Sequence, residues 1–152
     1  MEANTELKMI HLSEVESQQI KWLWYPFIPY GKLSIVQGDP GDGKSTLILN
    51  IAAKLSRGEC IDENMNITEP VNVIYQTAED GLADTVKPRL EAANADCSRI
   101  SIIDESDKSV SMTDDRIEEA IKREMRSCAS LIRYRLILAV ILICTGQTKP
   151  EK

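Results

Sequence analysis

Aromatic side chains make up only 5% of the 152 residues, histidine occurs once (His11), and there is no C-x-x-C pair. Each shortage excludes a class of function. So few rings do not build a stacking platform for single-stranded nucleic acid. One imidazole and four cysteines far apart in sequence (Cys60, Cys97, Cys128, Cys144) do not complete a usual zinc set. Cysteines spaced this way read as reduced cytosolic thiols. Basic excess is lacking as well: the net charge is −6, which argues against a whole-chain footprint on nucleic acid or membrane. The longest apolar run, Leu136–Cys144, falls far short of the ~20 residues of a membrane span. The acidic start MEANTELKMIHL lacks the apolar stretch of a signal peptide. These absences lead to the expectation of a cytoplasmic chain with no membrane partner.

What is present suffices for one folded domain. A hydrophobic fraction of 43% and a charged fraction of 28% are those of a globular chain, and a domain takes about 100–200 residues. One break in composition stands out. Residues 1–124 hold 13 Lys/Arg and 23 Asp/Glu, whereas residues 125–152 hold 5 and 1. An acidic, well-punctuated unit (1–124) therefore gives way to a basic-apolar tail (125–152).

Within the first unit the periodicities alternate between strand and helix. Ile20–Ile28 reads as an edge strand and turn broken by Pro26 and Pro29. Leu33–Gln37 reads as a short buried strand. Lys44–Ser56 places Leu47, Ile48, Ile51, Ala52 and Leu55 at helical spacing, with Gly58 as the stop. Val71–Thr77 is β-branched and strand-like. Leu82–Ala95 reads as a helix that Pro88 kinks or delays. Arg99–Asp104 reads as another strand, and Thr113 or Asp114 caps a helix running to about Met125. Strands alternating with helices predict an α/β fold with a mostly parallel sheet.

The densest signal is Gly38-Asp39-Pro40-Gly41-Asp42-Gly43-Lys44-Ser45, a full G-x-x-x-x-G-K-[ST] between a strand and an amphipathic helix. Glycines let the backbone curl with its N–H groups facing a polyphosphate. The helix that follows aims its positive end at the same anion. Lys44 offers a point charge to the β- and γ-phosphates, and the Ser45 hydroxyl offers a ligand to Mg²⁺. The bland alternative is a glycine turn with an exposed lysine. The expected nucleotide-binding set is Gly38, Asp39, Pro40, Gly41, Asp42, Gly43, Lys44, Ser45 and Thr46, with ATP and Mg²⁺ as ligands.

Glu79 and Asp80 follow the Val71–Thr77 strand, on the side where open parallel sheets bind ligands. A carboxylate there can orient an attacking water. It can equally cap the helix starting near Leu82, and spacing alone leaves the two readings balanced. Asp104 can touch Mg²⁺ but fits a solvated turn better. Arg89 can reach a neighbouring subunit's phosphate but fits an exposed helix position better. Trp22 and Trp24 can stack adenine or a neighbouring subunit, though burial on an edge strand is more ordinary. His11 has no identifiable partner.

From about Val15 to Glu124 the chain resembles the RecA-like P-loop ATPases of the AAA group that includes plasmid RepA-type hexameric helicases of mobile elements. The resemblance is carried by WLWYPFIPYGKLSIVQGDPGDGKSTL, NVIYQTAEDGLADTVKPRL and RISIIDESD. It implies a doubly wound sheet and rings with ATP between subunits. It also implies ATP hydrolysis coupled to DNA work, with Glu79 as the catalytic glutamate beside Lys44. After Glu124 the sequence departs from that pattern. The family writes apolar residues and then Asp-Pro on the next strand, whereas this chain has no Asp after Asp115. Shifting the frame near codon 124 permits Asp-Pro from the codons of Leu131, Ile132 and Arg133, within a longer stretch of family-like sequence. First bases of the shifted codons are free, so the reading is permitted rather than forced. The expectation is a truncated chain, out of frame over 125–152, that binds ATP but hydrolyses it poorly. Arg133–Cys144 is apolar and branched enough to fill a strand slot, and it brings no carboxylate. Two other readings remain: a non-enzymatic nucleotide-binding regulator with a functional basic tail, and a chain anchored to membrane by Leu131–Cys144. Arg133 and Arg135 interrupt that segment and weigh against the anchor.

Overall fold

The computed structural model describes residues 9–62, 69–77, 80–106, 110, 114–127 and 143–144. A 3₁₀ turn (Leu12–Glu14) precedes a hairpin of β1 (Trp22–Trp24) and β2 (Ile28–Pro29). Then come β3 (Val36–Gln37), α1 (Lys44–Ser56) and β4 (Val73–Ile74). A π-type turn (Leu82–Val86) leads into α2 (Lys87–Ala92), and a second 3₁₀ turn (Cys97–Arg99) into β5 (Ile100–Ser101). Helix α3 (Asp115–Ser127) and strand β6 (Ile143–Cys144) complete the order.

Helix α1 is the centre of the core. It buries Ile48, Leu49, Ile51, Ala52, Ala53 and Leu55 against Leu23 of the hairpin, Val71 and Val73 around β4, Val86, and Leu90 of α2. A fully buried aliphatic side chain of this size contributes about 1.5–3 kcal/mol relative to exposure. The buried face is broader than the spacing predicts: Leu47 is 39% exposed, while Leu49 and Ala53 are covered. A helix packed on more than one side needs a wide apolar face rather than a stripe.

The end of α1 explains its length. Gly58 takes φ 73°; its N–H donates to Leu55 O (3.0 Å) and the Glu59 N–H to Lys54 O (2.9 Å). This is the paired 5→2 and 6→1 closure of a left-handed glycine stop. Directly after it, the Val71 N–H donates to Leu55 O at 2.9 Å and ties the approach to β4 onto the helix.

Among the described residues parallel pairing occurs twice. Val73 and Ile74 face Ile100 and Ser101, and Val36 and Gln37 face Ile143 and Cys144. The hairpin β1–β2 is antiparallel. The ladder of β4 continues past its last strand residue: the Tyr75 N–H donates to Ser101 O (2.9 Å). The Gln76 side-chain amide then donates to Ile103 O (3.2 Å) and accepts from the Ile103 N–H (3.1 Å). The expected single, doubly wound sheet is not drawn by the described residues, whose strands form three separate pairs. Leu33 and Ile35, expected in a buried strand, are each 62% exposed. The only described neighbour of β3 is two residues long and covers little of that segment. The pairing of β6 with β3 does put part of the Arg133–Cys144 segment in a strand slot beside the loop strand.

Pro88 delays α2 rather than kinking it. The π-type turn comes first, and Pro88 sits in the first turn of α2, where a missing N–H costs nothing. Asp114 caps α3 by accepting the Arg116 N–H at 3.0 Å; Thr113 lies outside the described residues. Among the described residues no helix is long and apolar enough to cross a membrane.

Gly58→Ala is expected to lower stability by about 2 kcal/mol, measured by urea unfolding. A Cβ there meets Glu69 C and Pro70 N at 2.7 Å, and the backbone is left-handed.

Candidate functional site

The glycine-rich segment forms a closed loop at the head of α1. Gly41 (φ 92°) and Gly43 (φ 82°) turn the chain through conformations that L side chains rarely adopt. Gly43 is the N-cap of α1, and no side chain caps that end. The first helical bond runs from the Leu47 N–H to Gly43 O (2.8 Å). The amides of Lys44, Ser45 and Thr46 precede it and have no carbonyl one turn back. The first turn carries no acidic residue.

Lys44 is only 8% exposed. Its Nζ donates to Gly38 O (2.8 Å) and Asp39 O (2.6 Å). The loop thus curls over the lysine, whose ammonium is buried rather than exposed. Ser45 is half-buried and Thr46 exposed; Thr46 O accepts from the Asn50 side chain at 2.8 Å. Asp42 closes the outer side of the loop: its Oδ2 accepts from the Asp39 N–H at 2.7 Å while its own N–H donates to Asp39 O at 3.2 Å. Pro40 and Gly41, at the tip between them, are exposed.

Glu79 lies outside the described residues, as does Ala78; Thr77 and Asp80 on either side are described. The Asp80 N–H donates to Thr77 Oγ1 (3.2 Å), and Asp80 Oδ2 lies 3.9 Å from Arg89 Nη1. Gly81, not Asp80, occupies the N-cap of the Leu82–Val86 turn, with no side-chain cap. Arg89 is a half-exposed helix residue with a partner on its own chain. Tyr75, just upstream, is buried, and desolvation pushes its phenol above the ordinary value, with Asp80 adding to the effect.

Asp104 is exposed and bonded to the Ser106 hydroxyl and N–H, which hold its carboxyl below the usual range. Trp24 packs against the core and onto Phe27, with ring centroids 4.9 Å apart; Trp22 meets Tyr25 edge-on at 5.3 Å. His11 is exposed at the start of a 3₁₀ turn. Cys60 and Cys97 are not joined in a disulfide, and no metal-binding group of three or more ligands occurs among the described residues.

Sequence reasoning misses two positioning residues. Glu124, which the sequence marks only as the end of a pattern, accepts from Asn72 Nδ2 (3.0 Å) and Ser101 Oγ (2.8 Å), pinning α3 to the β4–β5 pair. Gln76, described above, steers the chain toward Thr77. No local signal marks either, because their partners are distant in sequence. A cleft of about 520 Å³ opens between β5 and α3, lined by Ser101, Asp104, Arg116, Glu119 and Arg123 among others. It includes no loop residue, its charges are of both signs, and Arg116 is committed to Asp114. The loop, not this cleft, carries the convergent chemistry.

A family model described as "AAA domain" matches residues 3–143. The chain belongs to the AAA domain family. Neither a curated protein nor a solved structure matches it. The segments quoted above for the resemblance lie inside the matched range, as does the loop with its buried Lys44. Family membership makes this an AAA-family ATP-binding protein.

Gly43→Ala is expected to cost about 1 kcal/mol in urea unfolding, less than Gly58→Ala. At Gly43 a Cβ meets nothing within 4 Å, so only the left-handed backbone is penalised.

Proposed function

We propose that the chain binds ATP through Gly38–Thr46, with Lys44 on the β- and γ-phosphates and Ser45 toward Mg²⁺. The observation that carries this is the buried Lys44 ammonium, held by two loop carbonyls at the open end of a 13-residue helix. An ammonium has three donors, and two are used here. The remaining N–H, the uncapped first-turn amides and the helix's positive end suit an anion. The donor set also suits the metal: the Ser45 hydroxyl is a hard oxygen of the kind Mg²⁺ takes. When bound, Mg²⁺ supplies charge neutralisation at the phosphates. The chain's own residues fix the phosphates and exclude water from Lys44.

The finer reading is a RecA-like ATPase of the RepA-type helicase group, with a mostly parallel sheet and Glu79 positioning the attacking water. DNA as a partner and a homo-oligomeric ring are carried by the resemblance alone. We read residues 125–152 as out of frame, which leaves no aspartate beyond Asp115 to hold the metal from the neighbouring strand. Hydrolysis in this chain is then weak and ATP binding persists. The missing aspartate favours one second reading, a nucleotide-binding regulator without turnover.

Lys44→Ala is expected to weaken binding of a fluorescent ATP analogue by at least tenfold, since it removes the loop's fixed cation. Equal affinity in both proteins would remove the phosphate-loop reading. Correcting one base near codon 124 and expressing the extended frame is expected to raise ATPase activity well above that of the present chain. A stop codon directly after the correction, or equal activity, would defeat the frameshift reading and leave the tail as native sequence.

A further inference from the structure

We infer that Asp42 is a positioning residue for the phosphate loop, and that Gly38 is glycine because the Asp42 carboxylate fills the space beside it. The inference rests on the phosphate-loop reading above and adds to it the residue that sets the loop's shape. Gly38 is not among the glycines with positive φ, so its backbone does not demand glycine. What a Cβ at Gly38 would meet is Asp42 Oδ2, at 2.7 Å, and after it only the Asp42 Cβ and Cγ, at 3.5 and 3.6 Å. That oxygen is the one that accepts from the Asp39 N–H at 2.7 Å. A methyl group there forces this oxygen to shift, which disturbs its bond to the Asp39 N–H.

The Asp39 unit is the hub of the loop. Its N–H is held by the Asp42 side chain, and its carbonyl accepts from both the Asp42 N–H (3.2 Å) and the Lys44 ammonium (2.6 Å). The reciprocal Asp39–Asp42 pair thus locks the turn from which Lys44 hangs. The acceptor is charged, and a hydrogen bond to an ionised acceptor is about twice as strong as a neutral one. Losing it leaves the loop to be ordered by the ligand, and that ordering cost comes out of affinity. A carboxylate near phosphates also repels them, so the charge and the hydrogen bond act in opposite directions. Asn in place of Asp42 separates the two, because its amide oxygen keeps the acceptor while the charge goes.

The test is titration of the full chain with a fluorescent ATP analogue and Mg²⁺, with thermal melting to verify folding. Asp42→Ala is expected to weaken binding by about five- to tenfold, a charge-assisted hydrogen bond partly offset by the lost repulsion between carboxylate and phosphates. Asp42→Asn, which keeps the acceptor, is expected to bind more tightly than Asp42→Ala. Gly38→Ala is expected to resemble Asp42→Ala. The double variant is expected to bind like Asp42→Ala alone to within about twofold, since the obstacle to the new methyl group has gone. Wild-type affinity in Asp42→Ala would overturn the inference, and so would additive losses in the double variant. An Asp42→Asn protein as weak as Asp42→Ala would overturn it as well. Should Lys44→Ala bind as well as the wild type, the phosphate-loop reading itself fails and takes the inference with it. Binding by the wild type that only Lys44→Ala disturbs removes the inference alone.

Discussion

An ammonium taken out of water needs acceptors, and Lys44 finds two in the backbone of its own loop. The carbonyls of Gly38 and Asp39 lie 2.8 and 2.6 Å from Nζ. For both to point at one atom, the chain between them and the lysine must reverse within a few residues. Gly41 and Gly43 adopt positive φ to permit it. The lysine in turn must sit on the first turn of a helix, or its side chain would not reach back. One buried charge thereby fixes the loop's curl, the left-handed N-cap and the start of α1 together.

The helix that begins under this constraint is also the one around which the core assembles. Its first turn stays open at the loop while Ile48, Leu49, Ile51 and Leu55 are buried. Its last turn is closed by Gly58, and Leu55 O accepts from both Gly58 and Val71. Polar ties then hold the outer elements in place. Arg57 donates to Ala93 O and Asn94 O and so closes the end of α2, while Ser56 Oγ accepts from the Asp96 N–H at 2.9 Å. Glu124 fastens α3 to β4 and β5. The loop is thus mounted on the most thoroughly packed element, which is where a site needs rigidity.

Features that depend on near neighbours along the chain are legible in the residue types themselves. The bounds of α1, the Gly58 stop and the Asp114 cap each rest on a residue type whose backbone or side chain acts within one turn. The strands are legible as segments but not as a sheet. Apolar runs such as Leu33–Gln37 reveal a preference for burial, while the covering layer comes from elsewhere in the chain, and Leu33 and Ile35 remain exposed. The spacing of Leu82–Val86 is that of plain helix; the π-type geometry ahead of Pro88 has no compositional mark. The loop's residues are legible as a motif. Its internal lock is not, because the contact between Gly38 and Asp42 arises only once the loop is closed. Glu124 carries the same lesson at longer range, with partners at Asn72 and Ser101.

The lock has an electrostatic consequence for the proposed function. The loop carries two carboxylates, Asp39 and Asp42, and one ammonium, and the helix end adds only about half a positive charge. Its own groups therefore do not balance a polyphosphate, and backbone amides supply direction rather than net charge. Neutralisation falls to the metal that the nucleotide brings, so the quality of the metal site decides how far binding leads to chemistry. In the proposed reading that site has the Ser45 hydroxyl, and beside it β6 pairs with the loop strand at Ile143–Cys144, a segment with no acid. In that reading, a phosphate loop whose strand pairs with a segment without a carboxylate would let ATP bind while hydrolysis stays weak. Binding then rests on Lys44 and the curl around it, and hydrolysis would need a charge that the segment pairing with the loop strand does not carry.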